Sequence, residues 1–188
     1  MSFISQVTIS IVIYFIIRFF YKQEKSLYIA GSIAIISYIL IYLTAYEVIS
    51  LMPTIHFMVT GLSLLIIFIA YSEISILEKK IRNLKKGEII NIEPFPVEKN
   101  YKIVFKLLGI GLLFLSFSLV SGFSLQTVFS ANIIFKALFT FIAWFIFVIT
   151  VIGVKYFNFP IKYATRSLFV SMCAVLGAYY MNSYLVGA

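Results

Sequence analysis

Few side chains in this chain can do chemistry. His56 is the single histidine and follows Pro53 by three positions. Its neutral imidazole suits either ligation of haem iron or another metal, or a hydrogen-bonded structural place. Glu73 sits in an apolar run and reads either as a proton-relay carboxylate or as a partner for Lys79 or Lys80. Glu47 and Lys136 form a candidate cross-helix pair; alone, Lys136 can lay its stem along a helix and reach the head groups with its ammonium. Trp144 is the only tryptophan and lies deep in an apolar run. Tryptophan favours membrane interfaces, so a deep one points to packing or to the wall of a ligand pocket. Cys173 is the only cysteine, which excludes an intramolecular disulfide and CxxC redox chemistry. The chain contains no Asp, so no Ser/His/Asp triad, and it has no HExxH and no phosphate-binding glycine loop. An autonomous enzyme is not expected, and no metal centre is.

The elements that must position these residues are membrane spans. The chain is 62% hydrophobic and 12% charged, with mean hydropathy +1.06. Its 188 residues cannot enclose that much apolar surface in a soluble core. A spanning helix needs about 20 mostly apolar residues, and such stretches run near 3–21, 26–50, 54–78, 102–123, 131–155 and 161–186. The expected fold is all-α: one polytopic bundle of six transmembrane helices, with short loops making sequential helices antiparallel neighbours.

Charge orients the bundle. Arg18, Lys22 and Lys25 fall in the first connection. Lys79, Lys80, Arg82, Lys85, Lys86, Lys99, Lys102 and Lys106 fall in or around the third, and Lys155, Lys162 and Arg166 around the fifth. Every Lys and Arg except Lys136 is then on one side, the cytoplasmic one, and both termini are on the outer, periplasmic side. The sequence pI of 9.5 follows from basic loops facing anionic lipid rather than nucleic acid. The expected location is the bacterial cytoplasmic (inner) membrane, as a multi-pass protein.

The N-terminal run precedes its positive charges and lacks a small-residue cleavage site, so it reads as a retained anchor rather than a signal peptide. The one sizeable loop covers about 79–101. Its first part, EKKIRNLKKGE, can prolong the third helix until Gly87; Pro94 and Pro96 then reset the chain. Ser118 and Gly122, four apart, suit close helix packing.

Several segments carry a family likeness: His56 opening a long span that ends in LEKKIR, the loop EPFPVEK, the helix from Phe105 to Gly122, KALFTFIAW from Lys136 to Trp144, and AYY from Ala178 to Tyr180. Together they resemble the membrane core of the cytochrome c assembly family, the CcsA/YpjD-like proteins, over the region from His56 to the C-terminus. The resemblance implies an accessory role in cytochrome c biogenesis, with haem as cofactor, His56 as haem ligand and Lys136 as contact for a haem propionate or another anion. It also implies membrane or periplasmic partner proteins. Two departures limit it. The Trp-rich outer segment of haem-handling members, the WWD motif, is absent, and Phe135 stands where they carry a second axial histidine. The chain therefore looks like a reduced, YpjD-like member in which two histidines from one chain cannot ligate haem. A transport-associated subunit, a small ion or solute carrier, and a haem-free scaffold are the alternatives. In the carrier reading Glu73 and the Glu47–Lys136 pair outweigh His56.

The charge pattern makes a topological prediction. In a Cys173→Ser background, single cysteines at positions 2 and 187 should react with a membrane-impermeant maleimide added to intact spheroplasts, and one at position 86 only after permeabilisation. Protection of position 187 in intact cells would remove the six-span topology.

Overall fold

The computed structural model describes residues 3–20, 26–45, 51–87, 97–125, 131–157 and 159–185, leaving aside the side chains of 3–4, 26, 45, 97–100, 131–133, 136 and 178–185. The described residues form six helices: α1 (Phe3–Phe20), α2 (Ser26–Ala45), α3 (Leu51–Lys85), α4 (Val97–Ser124), α5 (Ala131–Phe157) and α6 (Ile161–Leu185). Four of them contain segments long and apolar enough to cross a membrane: Leu27–Thr44, Leu51–Lys85, Tyr101–Ser124 and Ala137–Phe157. In α1 the apolar helix is shorter, Ser5–Phe20.

Hydrogen bonds between helices give their directions. Tyr38 and Tyr42 of α2 donate to the carbonyls of Phe57 and Thr54, so α2 and α3 run antiparallel. Thr60 faces Ser118 and His56 faces Ser121, which makes α3 and α4 antiparallel too. Thr150 and Ala143 of α5 meet Ser167 and Ser171 of α6 in the same sense. The bundle thus has a basic end, holding Arg82 and Lys85 of α3, Lys102 and Lys106 of α4, Lys155 of α5 and Lys162 and Arg166 of α6. The other end holds His56.

α3 is the axis. Of its apolar segment 56% is buried, against 28–33% for the other three, and it packs against α1, α2, α4 and α6. One apolar cluster lies where α1 and α2 cover it, through Tyr14, Ala30, Ala34, Tyr38 and Leu65. A second joins residues of α3, α4, α5 and α6: Ile67, Ile74, Leu108, Leu115, Phe147 and Leu168. The outward faces remain apolar: Val12, Phe15, Leu40, Leu113, Phe117, Phe141 and Phe145 are all exposed. That inside-out balance suits hydrocarbon, where apolar side chains need no protein cover and association rests on close packing and hydrogen bonds.

α3 outlasts the bilayer-facing run and continues to Lys85 as the charged segment EKKIRNLK. Gly87 ends it with φ +73°, a left-handed conformation that favours glycine, while the Lys86 and Gly87 amides bond back to Arg82 and Leu84. At the opposite end Pro53 occupies the first turn, where its missing N–H has no intrahelical partner to lose.

Gly61 is required by contact. A Cβ there would lie 1.8 Å from the Tyr38 hydroxyl, and the Tyr38 ring is fully buried. Gly61→Ala should therefore destabilise the bundle by about 1–3 kcal/mol, the usual effect of overpacking. Gly109→Ala, whose Cβ meets nothing within 4 Å, should be neutral or slightly stabilising through helix propensity. Thermal unfolding in detergent distinguishes the two; equal midpoints would contradict the packing assignment.

Candidate functional site

A polar stripe runs along α1. Gln6, Ser10, Tyr14 and Arg18 are spaced four apart, so they share one slowly winding face of the helix. That face points inward: Gln6, Ser10 and Tyr14 are fully buried. From Gln6 to Arg18 the stripe climbs about 18 Å along the helix axis.

At the basic end the stripe meets Glu73 of α3. Arg18 Nε donates to Glu73 Oε1 at 2.8 Å, and Arg18 Nη2 donates to Oε2 at 3.1 Å. Tyr14 donates its hydroxyl to Oε1 at 2.6 Å. The carboxylate is 8% exposed and the Arg18 side chain 19% exposed. The two-point guanidinium contact fixes orientation as well as charge, which an ammonium cannot do. Such a pair is strongly favoured over either charge buried alone, because desolvation of an unpaired ion in this setting is costly.

The partner of Glu73 differs from the expected Lys79 or Lys80, and the reason is distance along the helix axis. Positions 79 and 80 lie on α3 itself, six and seven residues beyond Glu73; about two turns of helix, or 9–10 Å of rise, separate them. Arg18 lies on a neighbouring helix at the same depth. Counted by sequence as part of the first connection, Arg18 is in fact within α1. Gln6, Ser10 and Tyr14 did not stand out as site residues, yet the four-residue spacing of polar side chains in an apolar helix was a signal available for them.

Gln6 is anomalous. Ser10 donates to its main-chain carbonyl, but neither its side-chain oxygen nor its nitrogen has a hydrogen-bond partner among the described residues. Buried amides are rarely left so, since each unmet group costs on the order of 1–3 kcal/mol.

At the other end of α3, His56 belongs to a chain of hydroxyls against α4. Thr60 donates to the His56 carbonyl at 2.7 Å. Its single proton is thereby used, so Ser118 donates to Thr60 across the 2.6 Å gap. Ser121 donates to the Ser118 carbonyl at 3.1 Å. It also lies 2.9 Å from His56 Nδ1, a contact in which the donor and acceptor roles follow the imidazole tautomer. Gly122 gives the ring room: a Cβ there would lie 3.1 Å from His56 Cε1. Ser118 and Gly122 serve the close approach of α3 and α4.

Trp144 is not brought to His56. Its indole N–H donates to Ser116 at 2.8 Å, and it stacks against Phe141 within the second apolar cluster. Ser116 and Ser118 lie roughly 160° apart around α4, so Trp144 and His56 occupy opposite flanks of that helix. Of the two readings of Trp144, packing or the wall of a ligand pocket, the structure shows it packed against the second cluster, away from His56. Glu47 and the Lys136 side chain lie outside the described residues, and with them the proposed Glu47–Lys136 pair. Cys173 is exposed and faces outward from α6. Among the described residues, no group of three or more His, Cys, Asp or Glu side chains is placed to hold a metal ion.

No protein-family model, no curated protein and no solved structure matches this chain. Any functional reading therefore rests on the chain's own geometry.

The ion pair yields a quantitative expectation. Arg18→Met leaves a buried carboxylate with only Tyr14 and should cost on the order of 3 kcal/mol. Arg18→Met combined with Glu73→Leu removes both charges and should cost less than Arg18→Met alone, leaving mainly the Tyr14 hydroxyl without its acceptor. Denaturation of the purified variants in mild detergent measures the difference. A double variant less stable than Arg18→Met would show that the pair is not the interaction at stake.

Proposed function

We propose that this chain is a transport-associated membrane subunit or small ion carrier, non-enzymatic, in which Glu73 accepts and releases a proton against Arg18. The observation that carries the reading is the Tyr14–Glu73–Arg18 cluster inside an apolar bundle. Ionisable groups at such depth are expensive, and they mark ion pathways more often than they serve packing. Protonation of Glu73 neutralises the carboxylate and removes the charge that holds Arg18. The guanidinium, already part-exposed, can then extend toward the basic end. Deprotonation restores the pair. The exchange alters the α1–α3 contact, so a proton on one oxygen becomes a change in helix packing. Tyr14 is hydrogen-bonded to the same oxygen and is placed to relay the proton. Ser10 and the unsatisfied Gln6 continue the polar stripe toward the far end. In this reading the chain crosses the bacterial inner membrane six times with both termini outside, and the cluster lies near the cytoplasmic face.

A second reading is favoured by a separate observation. Metal-binding histidines commonly have their other ring nitrogen held by a hydrogen bond, and Ser121 holds His56 in this way. That donor chemistry suits a haem iron, as the resemblance to cytochrome c assembly proteins implies. His56 would hold the haem through a ring nitrogen, and the haem would supply an iron centre. Phe135 carries no donor, so any second ligand would come from a partner or an exogenous molecule. The Trp144 position gives this reading no support.

Proteoliposomes with an entrapped pH dye and an imposed potassium diffusion potential test the first reading. Wild-type protein should acidify the lumen well above protein-free vesicles, and Glu73→Gln should fall to the protein-free rate. A wild-type rate at background, or an unchanged rate in Glu73→Gln, overturns it. Soret absorption after haem reconstitution tests the second: His56→Ala should lose a band that wild type shows, and equal spectra would exclude His56 as ligand.

A further inference from the structure

We infer that the groove between α2 and α4 is a binding site for one phospholipid with an anionic head group, taken from the leaflet on the basic side. α2 and α4 both pack on α3 but not on each other. The gap between them has a volume of about 780 Å³, within the ~300–1,000 Å³ of small-molecule sites. Ile66 and Ile69 of α3 form its floor, and Leu27, Ile35, Leu107 and Ile110 line its flanks.

The floor of this groove does not need a partner helix to be stable in hydrocarbon, but its shape and charge select what lies in it. Gly31 lines the α2 side, where a Cβ would meet nothing within 4 Å, so the missing side chain leaves open space there. Its polar groups gather toward the basic end. Lys102 and Lys106 are one helical turn apart on α4, and Tyr28 and Ser32 are likewise one turn apart on the facing helix. All four are exposed. The arrangement therefore offers two ammonium groups on one flank and two hydroxyls on the other, above an apolar floor. An anionic phosphate with an acyl chain attached complements both parts. A soluble phosphate would use only the lysines, and a zwitterionic lipid would set its own cation against them. The groove shares no residue with the Tyr14–Glu73–Arg18 cluster, so this site stands apart from the proposed proton exchange.

Native mass spectrometry of the full-length protein released from nanodiscs tests the assignment. Nanodiscs would contain equal phosphatidylglycerol and phosphatidylcholine of identical chains. Wild type should retain phosphatidylglycerol in preference, with one lipid surviving activation that strips the rest. Lys102→Gln with Lys106→Gln should reduce that preference roughly thirtyfold, the effect of removing two cations at head-group level. Both lysines are exposed, so the fold is expected to survive. Gly31→Leu should reduce retention of both lipids by filling the channel while leaving the charges in place. Equal retention of the two lipids by wild type overturns the inference, as does unchanged selectivity in the double lysine variant. Competition by excess glycerol phosphate as effective as that by the lipid would also overturn it, because it would show that the channel takes no part.

Discussion

A carboxylate placed among hydrocarbon must be met within the chain, and the way Glu73 is met organises half of this bundle. Three hydrogen bonds from α1 converge on it, two from one guanidinium. Apolar surfaces alone allow neighbouring helices to slide and rotate, since lipid tails are as apolar as leucine. A two-point ion pair does not allow it. It sets α1 against α3 in both register and rotation, and turns the whole polar stripe of α1 inward. Tyr14 is buried as a consequence, and so is Gln6, twelve residues before Arg18 on the same helix.

The other half of the bundle is held by weaker and more numerous contacts. Along α3 and α4 hydrogen bonds link Thr60 to the His56 carbonyl and to the Ser118 hydroxyl, and Ser121 to the Ser118 carbonyl and the His56 ring. Gly111 belongs to the same seam, where a Cβ would crowd Ile66 and Ile67 at 3.2–3.3 Å. Small residues let the backbones approach, and the approach brings the hydroxyls within reach of each other. The two halves thus differ in kind. One is an ion pair between α1 and α3, the other a neutral seam between α3 and α4.

The lipid-facing surface has its own structure. Most of it is undifferentiated, a belt of Leu, Ile, Val and Phe. The exception is where α2 and α4 stand apart on α3 and leave a channel with two lysines at its mouth. Positive charge in membrane proteins is commonly carried in loops; here Lys102 and Lys106 stand on a helix face, at the edge of an apolar cleft.

Helix positions were legible from the sequence because they depend on local composition. An apolar run of spanning length, a charged continuation after Leu77 and a glycine at 87 suffice to define α3 and its end. The clustering of basic residues at one end follows from the same reading, once sequential helices alternate in direction. Rotation was not legible. Whether Glu73 met Lys79 on its own helix or Arg18 on another depended on which face of α3 turned toward α1, and hydrophobic periodicity is nearly silent when both faces of a helix are apolar. For the same reason Trp144 could be placed at its depth but not on its flank of α4. The tertiary structure decided these matters because hydrogen bonds are directional and short-ranged, and only folded neighbours can satisfy them.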